Sequence, residues 1–125
     1  MKFLSRLEPY AYAALRIVSG FLYLCHGAQK LFGAFGGHAM VHVPLMLAAG
    51  IIEFGCGVLI LLGLFTRFAA FIASGEMAFA YFKVHAGWGQ HFFPIVNQGE
   101  LAVLNCFLFL FIASRGAGKF GADRG

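Results

Sequence analysis

Apolar residues run along this chain in four long blocks, at approximately residues 11–32, 44–64, 68–84 and 95–114, separated by short polar or glycine-rich breaks. Each block approaches the ~20 residues that an α-helix needs to cross the hydrocarbon core of a bilayer. The third is short and the fourth opens on polar residues. The pattern predicts an all-α protein, a four-helix transmembrane bundle forming one membrane domain over residues 1–125. The first block is too long for a secretory signal, carries Arg16 within it, and lacks a small-x-small cleavage site ahead of a soluble domain. It reads as the first span. Before it, Phe3, Leu4 and Leu7 with Lys2 and Arg6 form a short amphipathic lead-in, and Pro9 suits a first helical turn. The stretch Gly63-Leu64-Phe65-Thr66-Arg67 predicts a tight turn that makes the second and third spans antiparallel neighbours. Residues 115–125 are expected to be a non-helical, exposed tail.

Composition strengthens the membrane reading. Hydrophobic residues make up 61% of the chain and charged residues only 11%, with 16 Phe. So few charges could not cover the surface of a soluble protein of this size, whereas lipid asks for apolar surface. The net charge of +4 does not suggest nucleic acid, because the basic residues are scattered and form no dense run. They carry topology instead. With the N-terminus inside, the cytoplasmic side holds Lys2, Arg6, Arg67, Arg115, Lys119 and Arg124, and the other side only Lys30 and Lys83. Both termini are therefore expected in the cytoplasm, and the chain in the cell inner membrane. Trp88, Phe92 and Phe93, in the segment 85–94 with His85 and His91, look like part of an interfacial aromatic belt.

Each span contains a strongly polar residue, and a central charge costs about 2.5–3.5 kcal/mol on insertion scales. Such residues should face one another. A rise of ~1.5 Å per residue sets Glu53, Glu76 and Asn105 near the midplane, within reach of a long Arg16 side chain. The expectation is an intramembrane network of Arg16, Glu53, Glu76 and Asn105 that doubles as a candidate ligand site. Two carboxylates beside one arginine cannot both be fully compensated, which opens proton exchange as chemistry. The bland alternative is a satisfied polar cluster that fixes helix register. A shallower set, Lys30, Lys83, His85 and Glu100, falls toward the outer face, either as snorkelling interfacial charges or as a mouth for an anionic or quinone-like head group. Gly20 and Gly27 share a face with Arg16, Tyr23 and Lys30, and Gly55 and Gly63 lie among the small residues of the second span, as close helix packing requires.

Other chemistries find little support. Cys25, Cys56 and Cys106 lie singly in apolar stretches and read as packing residues. His38 and His42 have i, i+4 spacing but sit among glycines with no Cys or Asp beside them, so no metal site is expected. His26 has no partner for haem ligation. There is no phosphate-binding glycine loop, nucleophile elbow or dinucleotide fingerprint.

Four segments resemble the DoxX family of small membrane proteins, and the likeness runs along essentially the whole chain. They are Arg16-x3-Gly20 with Gly27-x2-Lys30-Leu31-Phe32-Gly33, Glu53-x3-Gly57 with Leu62-Gly63-Leu64-x-Thr66-Arg67, Asn97-x2-Glu100, and Gly116-x-Gly118-Lys119-Phe120-x2-Asp123. In the last, Ala117 and Gly121 stand where the family pattern has Pro and Ser. The resemblance implies a four-helix inner-membrane protein, in a family that includes a subunit associated with thiosulfate:quinone oxidoreduction and members linked to membrane redox complexes and oxidative-stress resistance. It marks Arg16, Lys30, Glu53 and Glu100 without assigning them roles. The leading functional expectation is a non-catalytic subunit with no intrinsic cofactor, which binds quinone or a similar lipophilic carrier and works with a partner oxidoreductase. A membrane scaffold or assembly partner is the alternative. Small-solute or proton transport is a third, for which four spans are few unless the chain forms a homo-oligomer.

Overall fold

A computed structural model of the chain describes residues 1–85 and 92–123, and all regular structure among them is helical. Trp88 and His91 lie outside the described residues. Helix α1 (Lys2–Arg6) ends at Leu7, and α2 (Glu8–Phe32) follows with Pro9 in its first turn, where a missing N–H breaks no helical bond. Helix α3 (Pro44–Leu62) also opens on proline. Helix α4 (Thr66–Ala80) passes into a π-helical turn, Tyr81–His85, which carries the same rod further. Short α5 (Pro94–Asn97) and long α6 (Glu100–Arg115) complete the set.

The first three apolar blocks coincide with α2, α3 and α4 with its π turn. The fourth does not form one continuous helix. It breaks at Gln98, held in the left-handed region at φ 61°, and restarts at Glu100. Asn97 and Gly99 have low helix propensity and bracket the break. Among the described residues, α3 alone is long and apolar enough to cross a bilayer by length and composition, with a mean hydropathy of 2.4 over its best window. The helices pack as two close pairs, α2 with α3 and α4 with α6, joined where α3 runs beside α4.

Glycine sets the closeness of the first pair. A β-carbon on Gly20 would sit 2.6 Å from the Leu61 nitrogen, and one on Gly57 2.6 Å from the Leu24 nitrogen. On Gly27 it would lie 2.7 Å from the Phe54 α-carbon. The two backbones therefore touch along several turns, a close approach of the kind that small residues permit. Gly55 takes no part, since it faces open space.

The tightest packing lies toward the end of the bundle that carries the termini. Tyr12, Ile60, Ala69, Ala70, Ala73, Phe109 and Ile112 are buried there as one cluster, with Tyr23 at its upper edge. The backbone groups at this end are thoroughly satisfied. Gly63, at φ 69°, closes α3 with its N–H donating to Ile60 O, while the Leu64 N–H reaches back to Leu59 O. The N–H groups of Ala122 and Asp123 then donate to the carbonyls of Leu62 and Gly63. The Asp123 carboxylate accepts from the N–H groups of Phe65 and Thr66 at 2.9 and 2.8 Å, capping the start of α4. Tyr12 donates to Gly116 O at 2.6 Å. Arg67 donates to the carbonyls of Ala113, Ser114 and Arg115 at the end of α6, and Arg115 pairs with Glu8. The tail is non-helical as expected, but it is folded back as a fastener and is not a loose exposed strand. Gly116 and Ala117 are buried.

The cap at Asp123 has a pH signature. The Thr66 N–H, with that of Phe65, favours the charged carboxylate and holds its pKa below the ordinary 3.8. A depressed folded-state value contributes stability above the unfolded pKa, and that contribution is lost as pH falls through the folded one. Asp123→Ala should therefore cost about 1 kcal/mol at neutral pH, as loss of an N-cap does. Thermal melts of wild type and variant should converge as the pH is lowered below the ordinary carboxylate range. A gap that stays constant would show that the carboxylate is not the cap.

Candidate functional site

Arg16 does not join the carboxylates. Its guanidinium is fully buried at the termini end, where Nη1 donates to the carbonyls of Ile60 and Leu61 at 2.8 and 2.9 Å and Nη2 to Lys119 O at 3.1 Å. A cation there meets the negative end of the α3 dipole and the carbonyls of its last turn, Leu61 O and the Ile60 O that also takes the Gly63 N–H. This corrects the expected midplane network: Arg16 is an anchor for a helix end. Depth along α2 explains the difference, because Arg16 lies seven residues below Tyr23, ~10 Å at helical rise, and a nearer set of acceptors captures it.

The carboxylates meet a different cation. Lys30 Nζ lies 2.7 Å from Glu53 Oε1, with the Glu53 side chain almost wholly buried. The sequence set Lys30 in the outer group with Glu100, yet Lys30 is one turn from Gly27, whose bare α-carbon lies against the Glu53–Phe54 backbone. That contact aligns the two residues, and the lysine stem spans the remaining depth. On the other side, the Tyr23 hydroxyl donates to Glu76 Oε1 at 2.8 Å, and the Glu76 carboxyl faces that of Glu53. Lys30, Glu53, Glu76 and Tyr23 thus form a continuous polar line from α2 through α3 and α4 and back to α2.

This line borders a cavity of about 570 Å³. Asn105, Lys83, His26 and Gln98 add polar groups to its wall, and Leu45, Met46, Ile52, Ile72, Met77 and Leu101 make much of the rest apolar. A few convergent polar groups in an apolar hollow of this size are the usual form of a small-molecule site. Lys30 has three ammonium donors, of which Glu53 engages one, and Asn105 can both donate and accept. Of the residues singled out in the sequence, Glu53, Glu76, Asn105, Lys30 and Lys83 line the cavity, and Arg16 does not. Glu100 opens α6 on an exposed face outside the lining. The side chain of His85 lies outside the described residues. Sequence reasoning missed Tyr23, His26 and Gln98 as site residues. Tyr23 could have been found, since it lies on the Gly27 and Lys30 face of α2, two turns below the lysine. Gln98 had no signal, because only the unforeseen helix break brings it to the wall.

His38 and His42 are exposed in the irregular connection between α2 and α3, so their i, i+4 spacing is not that of a helix face. Cys25, Cys56 and Cys106 are free and half-buried, and Cys106 contacts Ser74 across the α4–α6 interface.

A family model described as DoxX matches residues 11–86. The chain belongs to the DoxX family. The match contains Arg16, Tyr23, Lys30, Glu53 and Glu76, so it takes in both the α3 anchor and the whole polar line. A protein of Haemophilus influenzae, described as uncharacterized, is 47% identical over 128 residues, covering 98% of this chain and 96% of that protein. No solved structure matches the chain. DoxX is a membrane-associated family, which places this chain among membrane proteins and accounts for its many exposed apolar side chains, Phe21, Phe71, Phe79, Phe82 and Phe107 among them.

Proposed function

We propose that this DoxX-family chain is a multi-pass inner-membrane protein whose cavity binds quinone or a similar lipophilic carrier with a carbonyl- or hydroxyl-bearing head, in the service of a partner oxidoreductase. In this reading α2, α3, α4 with its π turn, and α5–α6 are the four spans, with both termini in the cytoplasm. Two features support that placement: exposed phenylalanines on the long helices, and Lys2, Arg6, Arg67, Arg115 and Lys119 at the termini end. The observation that carries the functional reading is the cavity itself, with apolar walls and a polar line of Lys30, Glu53, Glu76 and Tyr23. Lys30 and Asn105 can donate to a carbonyl oxygen, and the carboxylates and Asn105 can accept from a hydroxyl, so one site accommodates both forms of such a head group. The carboxylates next to it can take up or hand on protons.

Titration of detergent-purified protein with a quinone analogue tests this. Saturable binding is expected. Tyr23→Phe and Glu53→Gln should each weaken it about tenfold, equivalent to ~1.4 kcal/mol. The double variant Lys30→Met with Glu53→Met removes the ion pair without leaving one buried charge unpaired, and it should bind still more weakly while remaining folded. Wild-type affinity in folded Glu53→Gln protein would sink the proposal. Absence of binding by wild type would favour the scaffold reading, in which the polar line only holds helices together.

A further inference from the structure

The cavity occupies one half of the bundle. Every lining residue of α2 lies between Tyr23 and Lys30, of α3 between Leu45 and Glu53, and of α4 and its π turn between Ile72 and Lys83, while those beyond lie between Gln98 and Asn105. In each helix this is the half remote from the termini. The other half is filled. Ile60, Ala69, Ala70, Ala73, Phe109 and Ile112 are at most 1% exposed, and the Arg16 guanidinium is sealed beneath them. The glycine contacts with backbone that draw α2 against α3 fall at Gly20 and Gly57 in this closed half and at Gly27 at the boundary, while Gly50 in the open half meets only the Leu31 and Lys30 side chains. The ring contacts between α2 and α6, Tyr12 with Phe111 and Tyr23 with Phe109, stop at the level of Tyr23. Above that level α2 stays against α3, but no ring contact ties it to α6 among the described residues, and the lining residues His26, Leu45, Ala48, Lys83 and Leu101 are exposed.

We propose that the cavity is a one-sided site: its amphiphilic ligand, and any proton exchanged at Glu53 or Glu76, comes and goes only through the half of the membrane remote from the termini, and the termini half is a permanent seal. This rests on the multi-pass reading above and specifies the side that the site serves. In a protein with cytoplasmic termini that side is the outer leaflet and the space beyond it. The polar groups are graded accordingly. Lys83, Gln98 and His26 are exposed at the rim, the Lys30–Glu53 pair stands between, and Tyr23 and Glu76 form the floor. Toward Arg16 the described polar contacts close on themselves: the buried Ser19 hydroxyl donates to the Arg16 carbonyl, the guanidinium is committed to Ile60, Leu61 and Lys119, and no described hydrogen bond joins either to Tyr23 or Glu76. A through-path for protons or solute would need such a continuation.

Cysteine accessibility in sided membrane vesicles tests the proposal. In full-length protein with Cys25, Cys56 and Cys106 replaced by Ala, single cysteines are placed at Ala49 in the cavity wall, at Ala70 in the sealed half and at Ser114 at the termini end. A membrane-impermeant maleimide should modify Ala49→Cys only when applied from the side opposite that which modifies Ser114→Cys, and Ala70→Cys from neither. Ala80→Cys, also in the wall, serves if Ala49→Cys does not fold, and should give the same sidedness. Modification of a wall cysteine from the Ser114 side, or of Ala70→Cys at the rate of a wall cysteine, overturns the proposal. The readout does not depend on quinone binding. Protection of Ala49→Cys by the quinone analogue is a separate arm, and its absence with correct sidedness would count against the ligand and leave the one-sided site standing.

Discussion

Arg16→Met is expected to lower the unfolding free energy of the detergent-solubilised protein by about 3–5 kcal/mol, measured by titration with a denaturing detergent. The size follows from what the guanidinium holds. Three backbone carbonyls, of Ile60, Leu61 and Lys119, accept from it in a fully buried setting, two of them at the end of α3. Methionine fills much of the volume but strips Leu61 O and Lys119 O of this donor, with Ile60 O keeping only the Gly63 N–H, and a buried unpaired carbonyl costs about 1–3 kcal/mol. Arg16→Lys should recover only part of the loss, because an ammonium is a point charge and cannot fork between acceptors on α3 and on the tail. Ligand binding by folded Arg16→Lys should match wild type, since the cavity lies at the other end of α2. Equal stability of Arg16→Met and wild type would rule out the anchoring role.

Gly27→Ala sets two effects against each other, and their magnitudes decide the sign. Helix propensity alone favours Ala by about 0.5–1 kcal/mol in a helix interior. The added β-carbon, however, would lie 2.7 Å from the Phe54 α-carbon and 2.9 Å from the Glu53 carbonyl carbon, and backbone cannot rotate out of the way. Overpacking of this kind costs about 1–3 kcal/mol or more. A net destabilisation is therefore expected, near the upper end because the clash falls between two helix backbones. Gly55→Ala is the matched control on the partner helix, where nothing lies within 4 Å, and it should stabilise. Forcing α2 from α3 also pulls Lys30 away from Glu53, so Gly27→Ala should lose quinone-analogue affinity as well as stability. Stabilisation by both substitutions would mean that the helices are not in close contact.

The sequence made the four apolar blocks and three helix extents legible because burial in an apolar solvent leaves a long, simple signal. The partners of the polar residues were less legible. Depth arithmetic brought Glu53, Glu76 and Asn105 to one level, and they do share a cavity. It could not place Arg16, because a guanidinium on a long stem is captured by whatever acceptors lie nearest, and the unpaired carbonyls at a helix end are not visible as side chains. Nor could it foresee that Lys30 would reach inward, which depends on the glycine contact bringing α2 onto the Glu53–Phe54 backbone. The departures of Ala117 and Gly121 from the family's tail pattern do not loosen the tail. Ala117 is buried, a β-carbon on Gly63 would collide with Gly121, and one on Gly121 would lie 2.6 Å from the Ala117 β-carbon.

The fastening of the termini end also dictates an order of assembly. Residues 116–123 are synthesised after α1 to α6, yet they supply the acceptor for one arm of Arg16, the donors to Leu62 and Gly63, and the carboxylate that starts α4. Until they have left the ribosome, the ends of α2, α3 and α4 that they fasten stay incompletely joined. A nascent chain halted at Arg115 would hold α1 to α6 and still present the quality-control proteases with an unlatched bundle.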